Sequence, residues 1–405
     1  MATRQPPSLD SLPDELLLRV FALKPSWSDP THARSDMLAE EEMETAASLH
    51  RIARVSRRFC RLVDSFGWVV IDGVSAPHSL RERPAKRLAV QVYHKAQLRD
   101  SACSEPWLKN HVTAATVIST YPFQGDWPVE PFPVPELYGF ALRELNLFGG
   151  ETSCIEGSWL EPFLNEMPSL ETLRLTHVER PVIGSKRKLS LTTLQVACYY
   201  SGDVLFVQNL VSGTHRLRHL HLTDTPPYLH DRIDAVEVDD EWRTNLGRVL
   251  GSVMPELHTL TYLSPELYAD DANLRALTHL LPGAVALERL VTGWYSFCES
   301  MLKLLAGLPQ LRYLRMFRSP STPANDVPEY LWTFEGLAEQ VAALLSHPDR
   351  DPFRPLRIDV DVPGTLRKYD CAQRTARAAF ERAMPVGVEV WLLYYPDRPY
   401  KAYPL

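Results

Sequence analysis

Few residues in this chain are spaced so that they could do chemistry together. His215, His219 and His221 come nearest to a metal-ligand cluster, and the last two share one face of a strand. Zinc asks for three or four donors at set positions, and no third ligand stands at a fixed spacing from this pair. His221 suits a binding surface equally well. The carboxylates of 237–241, broken by Val238, lie in a proline-flanked stretch and read as a solvated loop, not as an acid–base pair. Cys60, Cys103, Cys154, Cys198, Cys298 and Cys371 are spread singly, without a CxxC pair, and read as reduced structural thiols. There is no Gly-rich phosphate loop, GxSxG elbow or HExxH helix. No catalytic set, metal or cofactor is therefore expected, and the chain reads as a non-enzyme.

The bulk chemistry narrows the partner instead. Forty-three basic and fifty acidic residues leave the 405-residue chain at −7, which argues against a dedicated nucleic-acid binder. The first ten residues are polar and carry no apolar signal-peptide core. No apolar run approaches the roughly 18 residues that span a bilayer. The expectation is an intracellular protein, cytoplasmic or nuclear, without a membrane partner. Thirty-three prolines against eighteen glycines point to many short elements joined by stiff connections.

Two amphipathic segments stand near the N-terminus. In the first, Ser11 can cap a helix with Pro13 in its first turn and Asp14 and Glu15 at the positive end of its dipole. Leu12, Leu16, Leu17, Val20 and Phe21 fall on one side of it. The second, 49–63, buries Ile52, Val55, Phe59 and Leu62 and turns Arg51, Arg54, Arg57, Arg58 and Arg61 outward. Trp68 and the apolar residues 69–71 follow at once.

Leu12-Pro13-Asp14-Glu15-Leu16 with Val20-Phe21, then Val55-Ser56-Arg57-Arg58-Phe59-Cys60-Arg61-Leu62 and Trp68, resembles an F-box. That family opens with Leu-Pro, an acid and a Leu/Ile pair, and closes with Val-Cys/Ser-Lys/Arg before an aromatic or Leu. The resemblance covers about 60 residues and departs from the family in a long insert at 24–48. It implies docking to the Skp adaptor of a cullin–RING ubiquitin ligase through Leu12, Pro13, Leu16, Leu17, Val20 and Phe21. Val55, Phe59 and Leu62 would complete the helical module. Read without the resemblance, the same stripes make a helical hairpin that caps whatever follows.

From about residue 112 a phrase recurs, an apolar residue followed three and five positions later by two more. It appears as Leu142-Leu145-Leu147, Leu170-Leu173-Leu175, Leu191-Leu194-Val196 and Leu217-Leu220-Leu222. It returns as Leu257-Leu260-Tyr262, Leu287-Leu290 (with Thr292 in the third place), Leu311-Leu314-Met316 and Phe353-Leu356-Ile358, with a fainter copy at Val112-Ala115-Val117. The last two positions alternate as a half-buried strand does, and the first feeds the same core from the incoming turn. Helix-period stretches lie between copies, at 159–167, 204–211, 242–253, 274–281, 301–308 and 330–345. A helix-like stretch at 370–383 and an apolar strand at 388–395 would close the end. The expected fold is α/β, a short N-terminal all-α F-box-like module followed by an irregular leucine-rich-repeat solenoid, a horseshoe. The asparagine that ladders regular leucine-rich repeats is missing, so the array is degenerate.

The expected domains are a disordered 1–8, the helical module 9–72, a linker or first irregular repeat 73–110, the repeat domain 111–395 and a tail 396–405. In such an array the residues between the strand leucines face solvent on the concave side. The middle column would hold Asn146, Arg174, Gln195, His221, Thr261, Val291, Arg315 and Arg357. Phe148, His219, Arg289, Tyr313 and Phe317 flank it. This column has three arginines and no carboxylate, and its expected partner is an acidic or phosphorylated segment of a target protein. The target-binding residues are then Arg174, His219, His221, Arg289, Tyr313, Arg315, Phe317 and Arg357. The function that follows is that of a substrate-recognition adaptor of a cullin–RING ligase; the alternative is a leucine-rich scaffold with no role in ubiquitin transfer.

Overall fold

A computed structural model describes residues 13–14, 16–17, 51–52, 54–64, 68–72, 87–92, 111–119, 139–148, 155–156, 160–176, 178–179, 189–198, 209–224, 250–263, 277–293, 299–317, 334–362, 377–383, 390–394 and 401–404. The expected module residues Leu12, Val20 and Phe21 and the 24–48 insert lie outside them. The chain divides into two compact units, Met1–Val182 and Ile183–Leu405. Both are mixed α/β and built on parallel strands that neighbour one another in sequence order.

In the first unit, helix α1 (Arg57–Asp64) leads into strands β1 (Trp68–Asp72), β2 (Arg87–Val92), β3 (Ala114–Ser119), β4 (Glu144–Phe148) and β6 (Thr172–Thr176). Helix α2 (Leu160–Asn165) precedes β6, and a two-stranded parallel pair, β5 (Ile155–Glu156) and β7 (Val178–Glu179), stands apart. The parallel sheet begins at Trp68, inside the span expected for the helical module, and β2 falls within the expected linker.

The second unit runs β8 (Thr193–Cys198), β9 (His219–Asp224), β10 (Thr259–Leu263) and β11 (Arg289–Gly293), then helix α3 (Glu299–Gly307) and β12 (Tyr313–Phe317). Helix α4 (Phe334–Leu345), β13 (Arg357–Val362) and β14 (Val390–Tyr394) follow, and β15 (Lys401–Pro404) adds antiparallel to β14. The residues 401–404 of the expected tail are thus part of the sheet.

The recurring phrase sets this order. Its second position forms one buried row per unit, Ala115–Leu145–Leu173 and Leu194–Leu220–Leu260–Leu290–Leu314–Ile358, with adjacent members opposite each other across the strands. Leu142, Leu170, Leu191, Leu217, Leu257, Leu287 and Leu311, the first position, are buried beneath. No repeat can bury these leucines alone, so each stabilises its neighbours.

Backbone bonding repeats with the phrase. The two N–H groups at a strand start share one carbonyl of the preceding repeat: Arg143 and Glu144 on Thr113, Glu171 and Thr172 on Arg143, and Arg218 and His219 on Thr192. His258 and Thr259 on Arg218, Glu288 and Arg289 on His258, and Arg312 and Tyr313 on Glu288 continue the series.

The Pro-bearing joins tighten the turn before a strand. Met254–Glu256 is a 3-10 turn closed by the Leu257 N–H on the Met254 carbonyl, and Leu170 bonds Met167 in the same way. Residues 350–354 tie α3 and α4 down: Arg350 donates to the Leu345 and Arg354 carbonyls, and Arg354 donates to the Leu308 carbonyl. These guanidiniums satisfy carbonyls that the ends of α3 and α4 leave open.

One copy of the phrase is displaced. Phe353, expected to start it, is 93% exposed, and Ile358 and Val360 occupy the rows of Leu314 and Met316. The frame of β13 is therefore two residues later than the sequence phrase suggests. Only one start N–H, that of Arg357, reaches the Arg312 carbonyl.

Candidate interaction surfaces

The two N-terminal segments meet. Leu17 is fully buried against Phe59 and Leu62, with Ile52 packed on the same cluster. Arg58 Nε donates to Asp14 Oδ1 at 2.8 Å across 44 positions of sequence. Ser56 caps α1 through its Oγ, which accepts from the Phe59 N–H at 3.1 Å. The apolar stripe is split by this packing: Leu17, Phe59 and Leu62 are interior, while Pro13, Leu16 (44% exposed) and Val55 (69% exposed) face outward. Of the described adaptor-site residues, then, three hold the cluster together and three are presented to solvent.

In the first unit the middle row is a closed polar network. Asn146 Nδ2 donates to Thr116 Oγ1 at 3.0 Å and to Glu144 Oε1 at 3.1 Å. Arg174 donates to Glu144 Oε1 at 3.0 Å and to Asn146 Oδ1 at 3.2 Å. The Arg174 charge is buried and neutralised by Glu144, so its removal would leave that partly buried carboxylate without its cation.

The second unit carries the other expected target-binding residues. Gln195, His221, Thr261, Val291, Arg315 and Asp359 form its middle row. These side chains were expected to face solvent, yet Gln195, His221, Thr261, Val291 and Arg315 are buried, as are Asn146 and Arg174 in the first unit. Strands about 4.8 Å apart bring successive side chains of a row into contact, so they cover one another and bond along the row. His221 Nδ1 and Thr261 Oγ1 are 2.8 Å apart. Arg357 is not in this row: Asp359 stands opposite Arg315. The column therefore does contain a carboxylate, contrary to the sequence reading.

Four of the expected residues do line up, two residues earlier along each strand. His219, Thr259, Arg289, Tyr313 and Arg357 are consecutive across β9 to β13 and more open than the middle row, apart from the buried Thr259. The Arg289 guanidinium lies 4.7 Å from the Tyr313 ring centre and that of Arg357 5.9 Å, from the two neighbouring strands. Arg357 grips Asp359 with Nε at 2.9 Å and a second nitrogen at 3.2 Å, and the Tyr313 hydroxyl donates to Asp359 Oδ2 at 2.7 Å. Burial, and then the Asp359 charge, push the Tyr313 phenol well above its usual range. His219, 3.1 Å from Thr259 Oγ1, is held below its usual pKa by burial first, then by His258, Arg218 and Arg289, with Glu288 opposing. Phe317 ends β12 in the following row, opposite Gly293.

The sequence reading missed Asp359, because the displaced frame hid its place in the row. It also missed the pair His258–Glu288, at 3.3 Å, on the strand starts. Among the described residues no His, Cys, Asp and Glu side chains gather as a metal-ligand set, and no helix is long and apolar enough to cross a membrane.

No family model matches the chain, and no curated protein matches it. Among solved structures the chain is similar to a crystal structure of a protein from Bacteroides fragilis, at 13% identity. The match covers 60% of this chain and 72% of that one with a TM-score of 0.31, a likeness too slight to carry any argument.

Proposed function

We propose that this chain is a substrate-recognition adaptor of a cullin–RING ubiquitin ligase, with an F-box-like helical module ahead of an irregular leucine-rich-repeat solenoid. The observation that supports it best is the division of the N-terminal stripe. Leu17, Phe59 and Leu62 close a small core across the insert, and this leaves Leu16 and Val55 outside. Large apolar side chains so placed suit a surface that a partner covers. In this reading the module docks on the Skp adaptor, and the strand rows hold a target protein through an acidic or phosphorylated segment. The contribution is proximity: bringing the target's lysines to the charged ubiquitin carrier raises effective concentration without bond-making by this chain. Such a role belongs in the cytoplasm or nucleus.

The test is co-purification with the Skp adaptor, comparing the wild type with a Leu16→Asp, Val55→Asp variant. Both positions are exposed, so the variant is expected to keep its melting temperature and lose the adaptor. A folded wild type that fails to bind would overturn the ligase reading and favour a leucine-rich scaffold whose N-terminal helices act only as a cap.

A further inference from the structure

The charge distribution of the second unit indicates what its strands hold. Where β9 to β13 begin, Arg218 and Arg312 stand just before the row of Arg289 and Arg357, with Arg315 in the middle row two residues further along its strand. Against these five arginines there are two carboxylates, Glu288 and Asp359, in a chain whose net charge is −7. Both are already engaged, Glu288 by His258 and Asp359 by Tyr313 and Arg357. Arg218 and Arg312 are exposed, and their backbones are fixed by N–H bonds to Thr192 and Glu288.

We propose that these strand starts bind an extended, unphosphorylated segment rich in Asp and Glu, supplied by the target protein. The proposal rests on the reading of the repeat strands as the target-holding part and names the chemistry they select. Line geometry favours an acidic run over a single phosphate. Arg218 and Arg312 begin strands three apart in the sheet, or about 14 Å at the usual strand spacing. A single phosphate takes up only the guanidiniums drawn to within about 3 Å of its own oxygens and does not run along that line. An extended peptide, rising about 3.4 Å per residue, crosses it in roughly four residues. Nucleic acid is disfavoured on separate grounds. Bases bind single-strand sites by stacking on open aromatic faces, and Tyr313 is flanked on both sides by Arg289 and Arg357. The field of these cations is also felt by His219, whose protonation Arg218 and Arg289 oppose.

Fluorescence anisotropy on the full chain tests this, with a labelled Asp/Glu-rich octapeptide as the probe. An Asn/Gln octapeptide, a neutral peptide with one phosphoserine and an oligouridine are run beside it. The acidic peptide is expected to bind best and to weaken about tenfold between low and moderate salt. An Arg218→Glu, Arg312→Glu variant is expected to weaken it by about tenfold or more at low salt, since both charges are reversed on an exposed surface. The Arg218→Gln, Arg312→Gln pair repeats the test should reversal disturb folding. Acidic binding no better than the Asn/Gln control, unchanged binding by either folded variant, or tighter binding of the phosphopeptide or the oligouridine would overturn the proposal. The Skp adaptor takes no part in this assay, so its outcome is independent of the co-purification.

Discussion

Replacing Tyr313 by Phe removes one oxygen and leaves the ring that Arg289 and Arg357 cover. The lost group is the hydroxyl that donates to buried Asp359 at 2.7 Å. A hydrogen bond to a charged acceptor is worth about 1.5–3 kcal/mol, and Arg357 still holds both carboxylate oxygens, so the cost should be about 2 kcal/mol at pH 8. The pH dependence separates this bond from a packing effect. The folded phenol is held neutral well above the pH at which the unfolded chain's Tyr ionises, near 10. Its contribution is complete below pH 10 and is lost as pH rises, because only the unfolded state then releases the proton. The loss is about 1.4 kcal/mol per pH unit above 10, and the Phe variant lacks it. The gap between wild type and variant should therefore narrow from about 2 kcal/mol at pH 8 towards zero between about pH 11 and 11.5. Urea unfolding followed by tryptophan fluorescence measures it, with Trp391 one strand from Asp359. No gap at pH 8 would refute the bond, and a gap constant through pH 11 would refute the neutral phenol.

Leu290→Ala, in the fully buried row, should cost about 2–5 kcal/mol by urea unfolding, whereas Phe353→Ala should stay within about 0.5 kcal/mol. Equal costs would mean that the phrase frame, and not the strand register, describes β13. Ser56→Ala should destabilise by about 1 kcal/mol through the lost cap on α1, with Ser56→Gly milder, as thermal melts can show. His219 stays neutral in the fold below the pH at which an unfolded His protonates, so its contribution is present above about pH 6.5 and is lost as pH falls. His219→Gln should therefore flatten the acid side of the stability profile below about pH 6.5, and an unchanged profile would discard that account.

Much of the sheet was legible because its signal is local. The L-x-x-L-x-L phrase states which residues alternate and which turn feeds them, and seven copies and the fainter one at Val112 bury their second positions as expected. Two things were illegible for physical reasons. Phe353 satisfies the phrase on hydrophobicity alone, but the 350–354 turn is fixed by guanidinium bonds to carbonyls of Leu308 and Leu345, partners with no local pattern. Exposure of the middle row could not be read from alternation either. Alternation says only that Arg174, His221 and Arg315 avoid the leucine face; it does not say that neighbouring strands cover them.

The carbonyl pattern at the strand starts explains how such unequal repeats form a regular ladder within each unit. From Leu142 to Leu311 the spacing between successive copies ranges from 21 to 40 residues, and yet the same paired N–H bonds recur at the starts of β4, β6, β9, β10, β11 and β12. Inserted residues fall between the end of one strand and the turn before the next, so they lengthen a connection without moving the leucine row. Loop closure costs only about 0.6 kcal/mol more per doubling of length, which a single buried leucine offsets. Where the paired bond is reduced to one, at Arg357, the frame slips by two residues and changes what the row displays. A slip of two keeps every side chain on its own face, so Ile358 and Val360 still fill the core. It sets Asp359 opposite Arg315 and Arg357 opposite Tyr313, where its guanidinium lies over the ring. The Arg–Tyr–Arg–Asp arrangement is thus a product of the slip, and it could not have formed had the eighth copy followed its phrase.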